Sequence, residues 1–244
     1  MAALQFDAVV DTMVAEERAH GAALAEGFFP DAPQDGWQDR VDSIHTIERA
    51  TGILRREMAE VFADYDLEPM IAYFETDAAQ IILGLEASAR AAFSDQSLVE
   101  AIQADIDGLI AARPELFDQI QDYIEYTDLV EQNVQAAFLS NVAFAAGLIE
   151  GGQFQGMAPE RLAAEMWAGE DATRADTENW LNAFLMTAYG PANPEDLQIY
   201  INSALTPDGT ILNAAINRAF QRLYAETSFD MGQAVAEFMG GDEI

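Results

Sequence analysis

Apolar residues recur at intervals of three and four along nearly the whole chain, the spacing that lines one face of an α-helix. A first helix is expected from about Ala2 to Phe28, with Phe6, Val9, Val10, Met13 and Val14 on one side. Pro30 stops it, and 30–36 reads as a turn-rich loop. The stripe Val41, Ile44, Ile47, Ile53, Leu54, Met58 and Phe62 predicts one helix over Trp37–Ala63, with a short one following over Asp66–Phe74. Thr76 stands as an N-cap for a helix whose apolar face is Ile81, Ile82, Leu85, Ala89 and Phe93. Helices over Gln96–Ala112 and from Pro114 to about Tyr126 come next, the proline suiting a first helical position. Asp128 and Glu131 have the spacing of a capping box for a long helix to Ile149, which Gly151-Gly152 ends.

The second half is punctuated in the same way. Pro159 opens a short helix through Trp167, and Asp176 or Thr177 precedes the run of Trp180, Phe184, Leu185 and Tyr189. Asn193-Pro194 begins another helix, and Thr206-Pro207 begins a long last one that stops at Gly240-Gly241, leaving Asp242-Glu243-Ile244 as a frayed tail. The pattern therefore predicts an all-α fold, a multi-helix bundle forming a single domain over residues 1–244.

Shifting Asp66–Phe93 by 130 positions lays it on Asp196–Leu223. Asp66, Leu67, Ile71, Thr76, Ile81 and Ala89 then meet Asp196, Leu197, Ile201, Thr206, Ile211 and Ala219, and both stretches read as short helix, Thr-capped break, long helix. Either the bundle holds two related helical-hairpin halves, over 57–112 and 187–239, or two amphipathic helices coincide by chance. The later stretch, EDLQIYINSALTPDGTILNAAINRAF, joins two helices through Thr-Pro-x-Gly. It resembles the bacterial domain-of-unknown-function family numbered 2059, whose mark is a helix, a Ser/Thr-Pro-x-Gly turn and another helix. In EPMIAYFETDAAQIILGLEASARAAFSD the same unit has Asp77 and Ala79 in place of the Pro and Gly, and DLVEQNVQAAFLSNVAFAAGLIEGG and DTENWLNAFLMTAYGP look like a longer, acidic branch. The resemblance implies an exported, all-helical protein with no assigned activity or catalytic residues. It places the chain in the periplasm, although MAALQFDAVVDTMVAEERAH has neither a basic n-region nor an apolar h-region. Export then requires a signal already removed and a Met1 that is not native; the alternative is a cytoplasmic protein.

Composition narrows the partners. The chain carries 43 acidic and 11 basic residues, a formal charge of −32, which repels nucleic acid and anionic headgroups. No apolar run is long enough to span a bilayer. All 11 basic residues are arginine, so lysine-base and Schiff-base chemistry are excluded, and the absence of cysteine excludes disulfides and thiol nucleophiles. The acidic, lysine-free composition reads either as adaptation to a saline setting or as nucleotide bias in the source genome. The 44 alanines favour helix, and 14 Phe, 7 Tyr and 3 Trp supply the bulk of a real core.

Candidate chemistry is sparse. The loop DAPQDGWQDRVD puts Asp31, Asp35, Gly36, Asp39 and Asp42 at the first, fifth, sixth, ninth and twelfth places of an EF-hand-like loop, a pattern that would take calcium or another divalent cation. Pro33 at the third-ligand place and the short Asp42 argue instead for an acidic loop capping the helix at Trp37. His20 lies four residues after Glu16, and His45 between Asp42 and Glu48, as solvated helical pairs or as bases. Trp167, Trp180, Phe184, Tyr189, Tyr123 and Tyr126 suit a core or a ligand groove, and Asn133 and Asn141 suit structural hydrogen bonds or a polar patch in a pocket. No phosphate loop, nucleophile elbow or dinucleotide fingerprint occurs. Function is accordingly expected to be non-enzymatic binding of an unknown protein or small ligand in the cell envelope. Cation binding is the first alternative, and a carboxylate-dependent hydrolase using His20 or His45 the second.

Overall fold

A computed structural model describes residues 2–30, 35–167 and 169–240, and among these every regular element is a helix. After a 3-10 turn at Ala2–Leu4 come α1 (Phe6–Phe28), α2 (Trp37–Ile44), α3 (Ile47–Val61), α4 (Glu68–Phe74), α5 (Asp77–Ala92), α6 (Gln96–Ala104) and α7 (Ile106–Ala112). They are followed by α8 (Pro114–Tyr126), α9 (Leu129–Glu150), α10 (Pro159–Met166), α11 (Glu170–Tyr189), α12 (Pro194–Ala204) and α13 (Pro207–Gly240). The expected multi-helix bundle is present, and no described helix is long and apolar enough to cross a membrane.

The apolar side chains gather around two long helices. Around α13, Val10, Met13 and Val14 of α1 pack with Ile53 and Leu54 of α3 and Leu212, Ala219 and Leu223. Further along α13, Val41 and Ile44 of α2, Ala145 and Leu148 of α9, and Leu162 of α10 meet Met231 and Val235. Around α11, Leu185 and Tyr189 meet Ile82 of α5, Ile120 of α8 and Leu197 of α12. At the crossing of α9 with α13 a Cβ at Gly147 would collide with the Phe229 carbonyl, and one at Gly232 with the Phe144 carbonyl. Only glycine lets the two backbones approach this closely.

Several local expectations are corrected: the stretch Gln96–Ala112 is two helices that break at Asp105, and α11 begins at Glu170 rather than after Asp176 or Thr177. The stripe over Trp37–Ala63 is two helices, because Thr46 leaves the helix and its hydroxyl accepts from the Arg49 amide at 3.2 Å. An N-capping threonine satisfies an amide that an unbroken helix would have bonded to a carbonyl, so either arrangement suits the same apolar spacing. Asp128 and Glu131 form no capping box: Asp128 takes a left-handed conformation without a side-chain cap, and Glu131 turns to Arg174 at 2.8 Å. Ile81, read as part of a buried stripe, is 59% exposed, while Ile82, Ala89 and Phe93 are buried as expected.

The two stretches related by 130 positions share their junction geometry. Thr76 Oγ1 donates to the Tyr73 carbonyl and accepts from the Ala79 amide; Thr206 Oγ1 donates to the Ser203 carbonyl and accepts from the Gly209 amide. Burial also corresponds at Ile82 and Leu212, Ala89 and Ala219, and Phe93 and Leu223.

Candidate functional site

The break between α2 and α3 decides where the site lies. It carries His45 off the helix surface and into the interior, where the residue is only 5% exposed. Its carbonyl accepts from Arg18 Nε at 2.8 Å, while Arg49 Nη2 pairs with Asp230 at 2.7 Å and leaves the imidazole between two cations. Burial, with Arg49, Arg18 and His20 adding to it, pushes the His45 ring down to about 4, so it is neutral near pH 7. The reading of His45 as a solvated helical partner of Asp42 and Glu48 is therefore corrected.

His45 faces a cavity of about 430 Å³ bounded by one stripe from each of three helices. From α1 come Glu17, His20, Gly21, Leu24 and Phe28; from α9 Asn133, Ala136, Ala137, Ser140, Asn141 and Phe144; from α13 Tyr224, Ser228 and Met231. The spacings of three and four within each set mark a single helix face. On α1 this face continues the apolar series Val10, Met13, Val14, so Glu17 and His20 stand where the series would call for apolar residues. Phe28 and Phe144, 5.6 Å apart, bring α1 and α9 together at the apolar end. A neighbouring pocket of about 240 Å³ shares Asn133, Ala136 and Tyr224 with the cavity and reaches Arg90 and Asn217.

Many polar groups here are not answered by the protein. Asn133 Nδ2 donates to the Leu129 carbonyl at 2.8 Å and Ser140 Oγ to the Ala136 carbonyl at 2.9 Å, each within its own helix. Among the described residues, the His20 and His45 rings, the Asn141 amide and the Ser228 and Tyr224 hydroxyls make no side-chain hydrogen bond, although they line the space. Burial, with Glu16 adding to it and Arg90 opposing, raises Glu17 above the usual carboxylate range, and burial likewise raises the Tyr224 phenol. The cleft is open on one side: His20 and Asn133 are exposed, and Glu17, Asn141, Tyr224 and Ser228 are half-buried, so water or a polar ligand can reach these groups.

The sequence candidates are brought together unevenly. His20, His45, Asn133 and Asn141 converge on this cavity. Of the cation-loop residues, Asp31 lies outside the described residues, Asp35 precedes α2, and Asp39 and Asp42 are on it. Asp42 accepts from Gln38 Nε2 at 3.1 Å and lies 3.5 Å from Arg18 Nε. Among the described residues no three His, Asp or Glu side chains converge to hold a metal ion. The aromatic candidates mostly fill the core: Trp180 stacks on Phe184 at 4.9 Å, Trp167 meets Phe138, and Tyr189 is buried, whereas Tyr126 is exposed. Glu17, Ser140, Ser228 and Tyr224 were not singled out from sequence. Their signal was polarity on a face that otherwise continues the core.

A second group of ionisable side chains lies between α5, α11 and α12. Tyr189 donates to Glu86 at 2.6 Å and Tyr200 to the other carboxyl oxygen at 3.1 Å. Burial raises Glu86 more than these two bonds lower it. Tyr123 of α8 is near enough for Glu86 to oppose its ionisation. Set against protein-family models, curated proteins and solved structures, the chain matches none of them.

Proposed function

We propose that the protein is a non-enzymatic binder of a small organic molecule, held in the cavity between α1, α9 and α13. One observation carries this reading: the His20 and His45 rings, the Asn141 amide and the Ser228 and Tyr224 hydroxyls line the cavity with no side-chain hydrogen bond among the described residues. Hydrogen-bonding groups reachable from solvent beside an apolar wall suit an occupant that uses both. The resemblance to the family numbered 2059 and the periplasmic location it implies belong to the same proposal. Amino-terminal sequencing of the protein from its native cell, together with fractionation, tests the location.

Thermal shift against a library of small metabolites tests the binding. Ligands are expected to raise the melting temperature of the wild type by several degrees, since binding stabilises by mass action. Ala137→Phe, which places a ring in the cavity, is expected to abolish the shifts while the helical circular dichroism persists. Shifts that survive Ala137→Phe, or no shift with any compound, reject the reading.

A hydrolase is favoured by one fact, that His20, His45 and Glu17 line the same space. Against it, Ser140 Oγ is turned to a carbonyl of its own helix rather than to a histidine, and a ring held near 4 is a weak base at neutral pH. Hydrolysis of a neutral ester by the wild type that disappears in His45→Gln would revive this alternative.

A further inference from the structure

We infer that the occupant of the cavity is an organic ammonium ion with an apolar tail; the inference rests on the small-molecule binding reading and names its ligand class. The cavity has a polar end and an apolar end. At the polar end the groups able to accept a hydrogen bond are the Glu17 carboxylate, a ring nitrogen of His45 and the side-chain carbonyl oxygen of Asn133, with His20 beside Glu17 on α1. At the other end Leu24, Phe28, Phe144 and Met231 form an apolar wall. An ammonium group carries three donors and no acceptor, so it matches the polar end, and an aryl or alkyl tail matches the wall.

Charge around the cavity selects against the opposite ligand. No arginine lines it, and the arginines nearest to it are committed elsewhere. Arg90, on the adjoining pocket, holds both carboxylate oxygens of Glu16, which also accepts from Ser94. Arg18 is held by the His45 carbonyl and Asp42, and Arg49 by the Ile44 carbonyl and Asp230. A carboxylate or phosphate ligand would meet Glu17 with no free cation to offset it. The net charge of −32 adds a long-range attraction for cations. The neutrality of the His45 ring is consistent with this, because a neutral imidazole accepts where an imidazolium would repel.

The test is calorimetric titration of the whole protein with three compounds of one shape: 2-phenylethylamine, 2-phenylethanol and phenylacetate. The amine is expected to bind at least tenfold more tightly than the alcohol, and the acid to give no heat. Glu17→Gln is expected to bring the amine to the affinity of the alcohol, while Glu17→Asp keeps the preference. Asp7→Asn, which removes an exposed charge from α1, is expected to change neither. Equal binding of alcohol and amine, tighter binding of the acid, or an amine affinity untouched by Glu17→Gln overturns the ammonium assignment and leaves the cavity as a binding site. Absence of heat from all three overturns it as well, and the Ala137→Phe thermal-shift result then shows separately whether the cavity binds anything.

Discussion

The two interior groups of ionisable residues are built from similar side chains and are treated in opposite ways. Between α5, α11 and α12, Glu86 is buried with two tyrosine hydroxyls bonded to its two oxygens, at 2.6 and 3.1 Å. Between α1, α9 and α13, Glu17, His45 and Tyr224 border a cavity of about 430 Å³ and have no such arrangement among themselves. A polar group answered inside the protein ties helices together and specifies their register. One left beside an open cleft stays available to water or to a ligand. A binding site is proposed on the strength of this difference.

The largest test of this contrast concerns the crossing of α9 and α13, two of the helices that border the cavity. Gly232→Ala forces a Cβ into the Phe144 carbonyl at the α9–α13 crossing. Overpacking against backbone rather than a yielding side chain is expected to cost on the order of 4–5 kcal/mol in urea unfolding. Cavity binding should be lost with it. Next is Glu86→Ala, which leaves the Tyr189 and Tyr200 hydroxyls unanswered and is expected to cost about 3 kcal/mol. A cost below 1 kcal/mol would show that the cluster is not structural and erase the contrast.

Third is the response to pH. The folded pKa of His45 is depressed to about 4 from an ordinary 6.5, so between those values the unfolded chain binds the extra proton. Stability attributable to His45 is therefore fully present above about 6.5 and falls as pH drops toward 4, by up to about 3 kcal/mol. The groups acting on the ring are Arg49, Arg18, His20 and Asp230. Glu86 has the opposite sign: its folded pKa is raised, so its contribution is present at low pH and is lost as pH rises through that value. Urea titrations of His45→Gln and Glu86→Gln separate the two. The first should flatten the acid limb, and a limb unchanged in His45→Gln would place the acid sensitivity elsewhere.

The smallest expected effect is the sharpest on the cavity side. Tyr224→Phe removes a hydroxyl with no described protein partner and should change stability by no more than about 0.5 kcal/mol. Tyr189→Phe, which breaks a 2.6 Å bond to a buried carboxyl, should cost about 1–2 kcal/mol. Equal costs for the two would mean that the cavity hydroxyl is answered after all.

Much of the scaffold was legible along the chain. Asn193 and Thr76 cap α12 and α5 as expected, Pro114 opens α8 and Gly151-Gly152 follow the end of α9. The site was less legible. Asn133 and Asn141 were visible as polar residues near an apolar face, but His45 was read on a helix it does not belong to. Thr46 fits a continuous apolar period as well as a break, and nothing local distinguishes them. Asp128 and Glu131 show the same ambiguity, because the acid that would close a capping box is drawn to Arg174, 43 residues away.

What the sequence determined by itself was the all-helical class, most helix ends and most of the faces they bury. Those depend on propensity, capping and a period of 3.6 residues, which act within a few turns of chain. What only the tertiary structure decided was which polar residues would be answered. Glu86 finds tyrosines 103 and 114 residues away, while Glu17, His45 and Tyr224 meet around a space between helices that a glycine crossing sets in place. Satisfaction of a buried polar group depends on distances between elements, and the order of residues along the chain does not contain them.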